Sequence, residues 1–210
     1  NVGRPQVVYR ETVTNEVEVT ETFDRELGGS RQAGTIRLAV GPNPRGGGNT
    51  YRNQAPEEEV PANLDPILRQ AVEEGLTSGV VLGYPVVDTW VHLAGGAFTP
   101  GVSTELGYRL ACSLALKKAL SEAGPALLEP VMKVEVMVPE EFMGEVIGEL
   151  NSRGGSVDEV EPKGGTNILR ASVPLKAMFG YSTALRSATQ GRASFSMQFS
   201  HYDRAAERGR

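Results

Sequence analysis

Groups that could do chemistry are few and scattered in this chain. Histidine, the side chain best suited to proton transfer near neutral pH, occurs only at His92 and His201. His92 stands beside Trp90 and Val91 in a strand-like run with no carboxylate pair at hand. It reads as a structural or rim residue and makes neither a zinc site nor a triad. Cys112 lies among Leu110, Ala111 and Leu114 and reads as a buried small hydrophobe. Glu57-Glu58-Glu59 could be taken for a cation cluster, but three consecutive carboxylates do not converge easily, so a solvated loop is expected. The glycines at 46–48 lack the strand before and helix after that a phosphate cradle needs, and no lysine follows a glycine anywhere, which excludes a P-loop. No catalytic residue, metal ligand or cofactor-binding motif is therefore assigned. The remaining candidates for contact chemistry are loops. Among them Gly28, Gly29, Ser30, Arg31, Gln32, Ala33 and Gly34 offer a cation and an amide, flanked by Arg25 and Arg37. Such groups suit phosphate and ribose.

The elements that must position these loops alternate between periods of two and 3.6 residues. Residues 6–23 read as a strand, with Val13, Val17, Val19 and Phe23 on it, and Thr35 to Val40 as its partner. Together they predict a hairpin with a long, flexible tip spanning Leu27 to Thr35. Asp65-Pro66 predicts a helix start, with Ile67, Leu68, Ala71 and Val72 on one face and a stop at Gly79. Val86 to Leu93 is the next strand, and Ala94 to Val102 the second loop. A helix capped by Ser103 or Thr104 follows, with Leu106, Leu110, Leu114 and Leu116 as its buried stripe and Lys117 and Lys118 in its last turn. Ala123-Gly124-Pro125 marks a boundary.

After that boundary the pattern is strand (Leu127 to Val138), helix from Pro139, strand (Ser156 to Glu161), strand (Asn167 to Val173), helix (Lys176 to Thr189, irregular at Gly180) and strand (Ala193 to Phe199). That order, β-α-β-β-α-β, is a ferredoxin-like sandwich. Gly144 and Gly148 share a helix face and suggest close packing on a sheet, and the polar tail from His201 is expected to fray. The fold class is α+β in two domains: residues 1–124, residues 125–203, and a polar tail at 204–210.

Composition agrees with an ordinary globular chain: 210 residues, 40% hydrophobic and 22% charged, with no apolar run near the length of a membrane span. A single cysteine fits an intracellular setting. The net charge is −5, and neither half is basic (11 basic against 15 acidic residues before Gly124, 10 against 11 after it), so any RNA contact must come from local loops. Asn1 in place of a methionine, with a strand-like run from Val7, reads as a piece of a longer protein.

Several segments, in order, resemble the C-terminal third of elongation factor G. Gly3-Arg4-Pro5-Gln6-Val7-Val8-Tyr9-Arg10-Glu11-Thr12 is similar to the opening of that family's fourth domain, and Gly28-Gly29, Gln32 and Gly34 to its first tip loop. Gly83-Tyr84-Pro85-Val86-Val87-Asp88 resembles its central strand, and the run from Leu128 to Val136 the first strand of the fifth domain. Residues 139–151 resemble that domain's first helix, and Met178 to Ser187 with Thr189-Gln190-Gly191-Arg192 its second helix and following turn. The resemblance implies a left-handed βαβ fourth domain, shared with a small-subunit ribosomal protein, and a ferredoxin-like fifth. It implies a cytoplasmic, monomeric translational GTPase, whose GTP and Mg sit in an N-terminal domain absent from these 210 residues.

On the same resemblance the partners are the ribosome's rRNA, the tRNA–mRNA duplex in the decoding site and the factor-binding region of the large subunit, with no membrane, and the activity is GTP-dependent translocation. The tip departs from the family. Ala33 replaces an aromatic residue, Thr35 a usual histidine, and Phe98-Thr99-Pro100 a Tyr-His-acid run. The resemblance makes Ala97, Phe98, Thr99, Pro100 and Gly101 the second tip loop, in which the ring is kept for stacking and the imidazole lost. That change leaves open a divergent paralogue acting in ribosome recycling or protection, and a stand-alone RNA-binding module is the alternative of another class.

Overall fold

A computed structural model describes residues 7–205. It divides into two units, one built from Arg10–Leu128 and the other, among the described residues, from 129–205 together with 7–9.

In the first unit a turn decides the shape of the leading hairpin. Gly28 and Gly29 both take positive φ, 59° and 84°, as a two-residue type I′ turn requires. Strands β2 (Val17–Leu27) and β3 (Ser30–Pro42) therefore pair without interruption from Val17↔Val40 to Leu27↔Ser30. The expected long, flexible tip is corrected to two residues, because paired glycines already close the strands in register. Strand β1 (Arg10–Thr12) is separate from β2, so the single strand expected over 6–23 is broken. Strand β4 (Thr50–Asn53) was not foreseen. It runs parallel to β5 (Thr89–Ala97), and a parallel pair needs a crossover, which helix α1 (Asp65–Gly75) supplies. The sheet order is β2-β3-β5-β4.

Helices α1 and α2 (Glu105–Glu122) bury Leu68, Val72, Tyr108, Ala111, Ala115 and Leu116 with Ile36, Leu38, Val40, Val91 and Leu93 of the sheet. The expected leucine stripe fails, since Leu106 and Leu114 are exposed and only Leu116 is fully buried. Residues four apart share one helix face, and the row of Leu106, Leu110 and Leu114 lies one position off the row that meets the sheet. Small residues take that face instead, at Gly107, Ala111, Ala115 and Ala119. Burial of Ala119 and Leu120 carries α2 one turn further, so Lys117 and Lys118 are not in its last turn. Likewise α1 stops at Gly75 rather than Gly79, and Asp65 does not cap it. The Asp65 carboxylate accepts from Tyr51 Oη (2.9 Å) and Asn53 Nδ2 (3.0 Å), tying the helix start to β4.

The second unit has the expected β-α-β-β-α-β order. Strand β6 (Ala126–Pro139) pairs with β8 (Thr166–Pro174), which pairs with β7 (Ser156–Lys163); β9 (Ser194–Arg204) lies on the other side of β6. The first residues of β6, Ala126 to Leu128, still belong to the first unit and pair with its β1. Val134, Val136, Val138, Leu169, Ala171 and Val173 meet α3 (Met143–Ser152) and α4 (Tyr181–Ala188) in one core.

Three expectations change here. Gly144 and Gly148 are exposed, with nothing within 4 Å of a Cβ added at either, so they pack on no sheet among the described residues. The helix over Lys176 to Thr189, expected to be irregular at Gly180, is split there outright, because Gly180 takes a left-handed conformation (φ 73°) between a 3₁₀ turn at Leu175–Ala177 and α4. Strand β9 runs through His201 to Arg204, held in part by Tyr202 Oη donating to Val8 O (3.1 Å), where a frayed tail was expected.

Candidate functional site

One end of the first unit's sheet carries both candidate loops. The last β3–β5 pair is Thr35↔Ala97, beyond which β2 and β3 continue as a two-stranded ribbon to the Gly28-Gly29 turn. The second loop leaves the sheet at Ala97 and returns to α2. Thr104 closes it: its N–H donates to Ala33 O (2.7 Å), its Oγ1 lies 3.2 Å from Ala33 N, and the same Oγ1 accepts from Gly107 N (3.0 Å) as the helix cap. The contact is close because both glycines beside it lack side chains. A Cβ on Gly34 would collide with the Gly107 and Tyr108 backbone, and one on Gly107 with the Ala33 backbone. Such backbone cannot move aside, so glycine at 34 and 107 is a packing requirement.

Not every expected contact residue is at the tip. Gly28 and Gly29 form the turn, and Ser30, Arg31, Gln32, Ala33 and Gly34 are all inside β3. Ala33 and Gly34 are buried against α2, whereas Ser30 and Arg31 are exposed and Gln32 partly so. Arg31 does not hang free. Its Nε and Nη2 donate to the two oxygens of Asp24 (2.9 and 2.8 Å), and that bidentate pair holds the Asp24 carboxyl below its usual range. Nη1 of Arg31 and one further proton remain for another acceptor.

Strand β5 runs on through Gly95 and Gly96, so the second loop begins at Ala97 and not at Ala94. Thr99 organises it. Its carbonyl accepts from Val102 N (3.0 Å) and Ser103 N (2.9 Å), and its own N–H donates to Ser103 Oγ (2.8 Å). Gly101 supplies a positive φ of 71°. The wound loop turns Phe98 outward, 47% exposed, with Ala97, Thr99, Pro100 and Gly101 also exposed.

Beneath the loop, sequence reasoning missed Tyr108. This residue is 1% exposed, and its hydroxyl reaches the carbonyls of Glu59 (2.8 Å) and Ala97 (2.9 Å). It anchors the start of the Phe98 loop to the core. Its aromatic ring at a helix position spaced four from Cys112 was the available signal. Also missed were two braces. The Glu11 carboxylate, 1% exposed, accepts from the backbone N–H groups of Val81 (2.7 Å), Leu82 (2.9 Å) and Tyr84 (2.8 Å). Asp88, at φ 54°, accepts from Gly46 N (3.1 Å) and Gly48 N (2.9 Å), so the glycine-rich loop is fastened at the opposite end of the sheet.

The other residues weighed for chemistry are placed as follows. Cys112 is buried, and burial pushes its thiol up to about 12. Glu57 and Glu58 are exposed, and Glu59 is turned in toward Gly96 N (3.4 Å). His92 lies on β5 with its ring 4.4 Å from that of Trp90. Among the described residues no three His, Cys, Asp or Glu side chains are grouped to hold a metal ion, and no helix is long and apolar enough to cross a membrane.

Comparison with known proteins covers the chain in two adjoining pieces. Residues 5–124 match the family model described as elongation factor G, domain IV, and residues 126–208 match that of the elongation factor G C-terminus. Among solved structures, a crystal structure of a protein from Thermus thermophilus superposes with a TM-score of 0.84 at 29% sequence identity. The match covers 98% of this chain and 31% of that one, so the present chain spans about a third of that protein's length.

Proposed function

The chain belongs to the elongation factor G family, whose domain IV and C-terminal domain it carries, and from that premise we propose that it is the ribosome-contacting arm of a translational GTPase that moves tRNA and mRNA. The observation that carries the reading is the convergence of two loops at one end of a braced sheet: the Gly28-Gly29 turn with Arg31 and Gln32, and the Phe98 loop, tied together through Ala33 and Thr104. Binding residues on loops held by a rigid scaffold are the usual arrangement for recognition. Arg31 can hold Asp24 and still donate to a phosphate or ribose oxygen, and the exposed Phe98 ring can stack on a base.

In this reading the arm performs no bond chemistry. GTP and Mg belong to another part of the parent protein, which works as a monomer in the cytoplasm, and the arm's partners are rRNA, the tRNA–mRNA duplex at the decoding site and the factor-binding region of the large subunit. A second reading, action in ribosome recycling or protection, draws on the Phe98 loop itself: Pro100 fixes one backbone angle and Thr99 stands where a histidine is usual.

The test joins this chain to its GTPase domains and follows mRNA movement on ribosomes at saturating GTP. Wild-type protein moves mRNA, and Arg31→Ala and Phe98→Ala each slow that step by about tenfold while GTP hydrolysis continues. Subunit splitting with no mRNA movement establishes recycling instead. No response to ribosomes at all returns the chain to a stand-alone RNA-binding module.

A further inference from the structure

The free face of the first unit's sheet carries a second contact surface, unconnected with the loops at its end. Helices α1 and α2 cover one face, where Val40, Val91 and Leu93 are fully buried. Side chains alternate along a strand, so Trp90 and His92 point the other way, as does Arg52 on β4, registered directly opposite His92. Trp90 and His92 are partly exposed and Arg52 is exposed. The two rings form a pair, with centroids 4.4 Å apart and planes tilted by 32°. The Trp90 indole lies over the backbone of Gly41, its cross-strand partner. A Cβ at Gly41 would collide with the indole, so this glycine is what lets the ring lie flat on the sheet.

Charge on this face is arranged unevenly. Of its cations toward β2 and β3, Arg37 is paired with Glu18 (2.9 Å) and Arg31 with Asp24 (2.8 Å). Arg52 has no ion pair among the described residues. It acts on His92, whose pKa is held below the usual imidazole value first by burial and then by Arg52, with Glu16 opposing. The imidazole therefore stays neutral near neutral pH and serves as ring surface, and Arg52 is the available positive charge.

We propose that Trp90, His92 and Arg52 form a stacking platform for single-stranded RNA, taking an unpaired base on the two rings and its phosphate on the Arg52 guanidinium. Two adjacent rings on an open sheet beside an unpaired guanidinium match the two halves of a nucleotide, a π face and an anion, at once. A protein partner would be served by the rings but would leave the lone cation to find an acid by chance. This platform does not depend on the role given to the Arg31 and Phe98 loops.

Trp90 is the only tryptophan in the chain, so its fluorescence reports the site directly. Single-stranded RNA of mixed sequence, titrated into the 210-residue protein, is expected to quench that fluorescence saturably. With the same RNA carrying a fluorescent label to report binding, Trp90→Ala weakens it by about tenfold, the loss of one stacked base, and Trp90→Phe restores most of it. Arg52→Ala lowers the salt slope by about 1. Quenching by RNA that survives Arg31→Ala and Phe98→Ala separates the platform from the end loops. The proposal is overturned if RNA leaves Trp90 unquenched up to millimolar nucleotide, or if Arg31→Ala abolishes binding while Arg52→Ala and Trp90→Ala do not change it. Quenching by ribosomal proteins but not by protein-free RNA overturns it in favour of a protein partner.

Discussion

The two units fasten their irregular segments with charges of opposite sign. In the first, buried carboxylates do it: Glu11 takes three backbone N–H groups of the 81–84 loop, and Asp88 takes two from the glycine-rich loop. In the second, an arginine does it. Arg153 Nη1 donates to the carbonyls of Ala177 (2.6 Å) and Phe179 (3.0 Å), while its Nε holds Glu149 (2.9 Å) and its guanidinium lies 5.2 Å from the Tyr181 ring centroid. The difference follows from what each segment leaves unpaired. A loop of glycine-rich turns converges N–H groups and wants an anion. A 3₁₀ turn ended by left-handed Gly180 points carbonyls outward and wants a cation. The brace is thus chosen by backbone geometry, and a matching charge elsewhere would not replace it.

The strongest way to break this comparison is at Glu11. Glu11→Ala leaves three donors without their acceptor. At about 1–3 kcal/mol for each unsatisfied group, the expected loss is about 3–5 kcal/mol after some water enters. Urea unfolding measures it, and hydrogen exchange should show the amides of Val81, Leu82 and Tyr84 opening first. A loss below about 0.5 kcal/mol, the range of an ordinary surface substitution, would mean that the carboxylate brace is ornamental.

Arg153→Ala is the counterpart in the second unit. Charged hydrogen bonds contribute about 1.5–3 kcal/mol each, but Arg153 is partly exposed and one of its partners, Glu149, is on its own helix, so about 2 kcal/mol is expected. Arg153→Lys recovers only part of this, since one ammonium cannot span the carbonyls and Glu149 in the same fork geometry. Exchange should quicken at Met178 and Tyr181. Full rescue by lysine would show that charge, not the planar fork, is what the segment needs.

Legibility from the sequence divides along the same line. The order of strands and helices was readable because Val134, Val136 and Val138, or Val146 and Leu150, announce their period by apolar spacing alone. The braces were not, since a buried Glu11 looks like any polar residue of an alternating strand, and its partners lie some 70 residues away. Strand β4 was hidden for a related reason: Thr50–Asn53 is four residues with one partly buried ring, and only pairing with β5 makes it a strand. At the candidate site the hairpin was legible but its tight turn was not, because glycines that close two strands in register look the same as glycines that loosen a tip. Nor were Gly34 and Gly107, since a glycine needed for close approach looks the same as one needed for bending until its opposite backbone is known. The leucines of α2 misled because small residues, not large ones, let a helix lie close on a sheet.

A finer comparison sets the two fully buried tyrosines against each other. Tyr108→Phe in the first unit removes a hydroxyl that reaches the Glu59 and Ala97 carbonyls, and should cost about 1 kcal/mol and loosen the Phe98 loop. Faster exchange at Val102 and Ser103 would register the loosening, and an unchanged rate there would detach Tyr108 from the loop.

Tyr181→Phe should do almost nothing at neutral pH. The Tyr181 hydroxyl is buried with no hydrogen-bond partner among the described residues, so its removal discards an unsatisfied group and leaves the edge-on contact with Phe195 (5.0 Å) intact. A change within about 0.5 kcal/mol, of stabilising sign, is expected. Alkaline pH distinguishes the variant. Burial, the largest influence, pushes the Tyr181 phenol up to about 12 from an ordinary value of 10, with Arg153 pulling the other way. The folded state therefore resists ionisation that the unfolded chain undergoes. Stability from this residue is complete below pH 10 and is lost as pH rises toward 12. Removing the phenol removes that loss, so the wild-type and Tyr181→Phe unfolding curves should coincide at neutral pH and separate above pH 10, with the variant the more stable. Curves that stay together through pH 12 would show that the Tyr181 phenol ionises as readily in the folded protein as in the unfolded chain, and burial would then not be what holds it neutral.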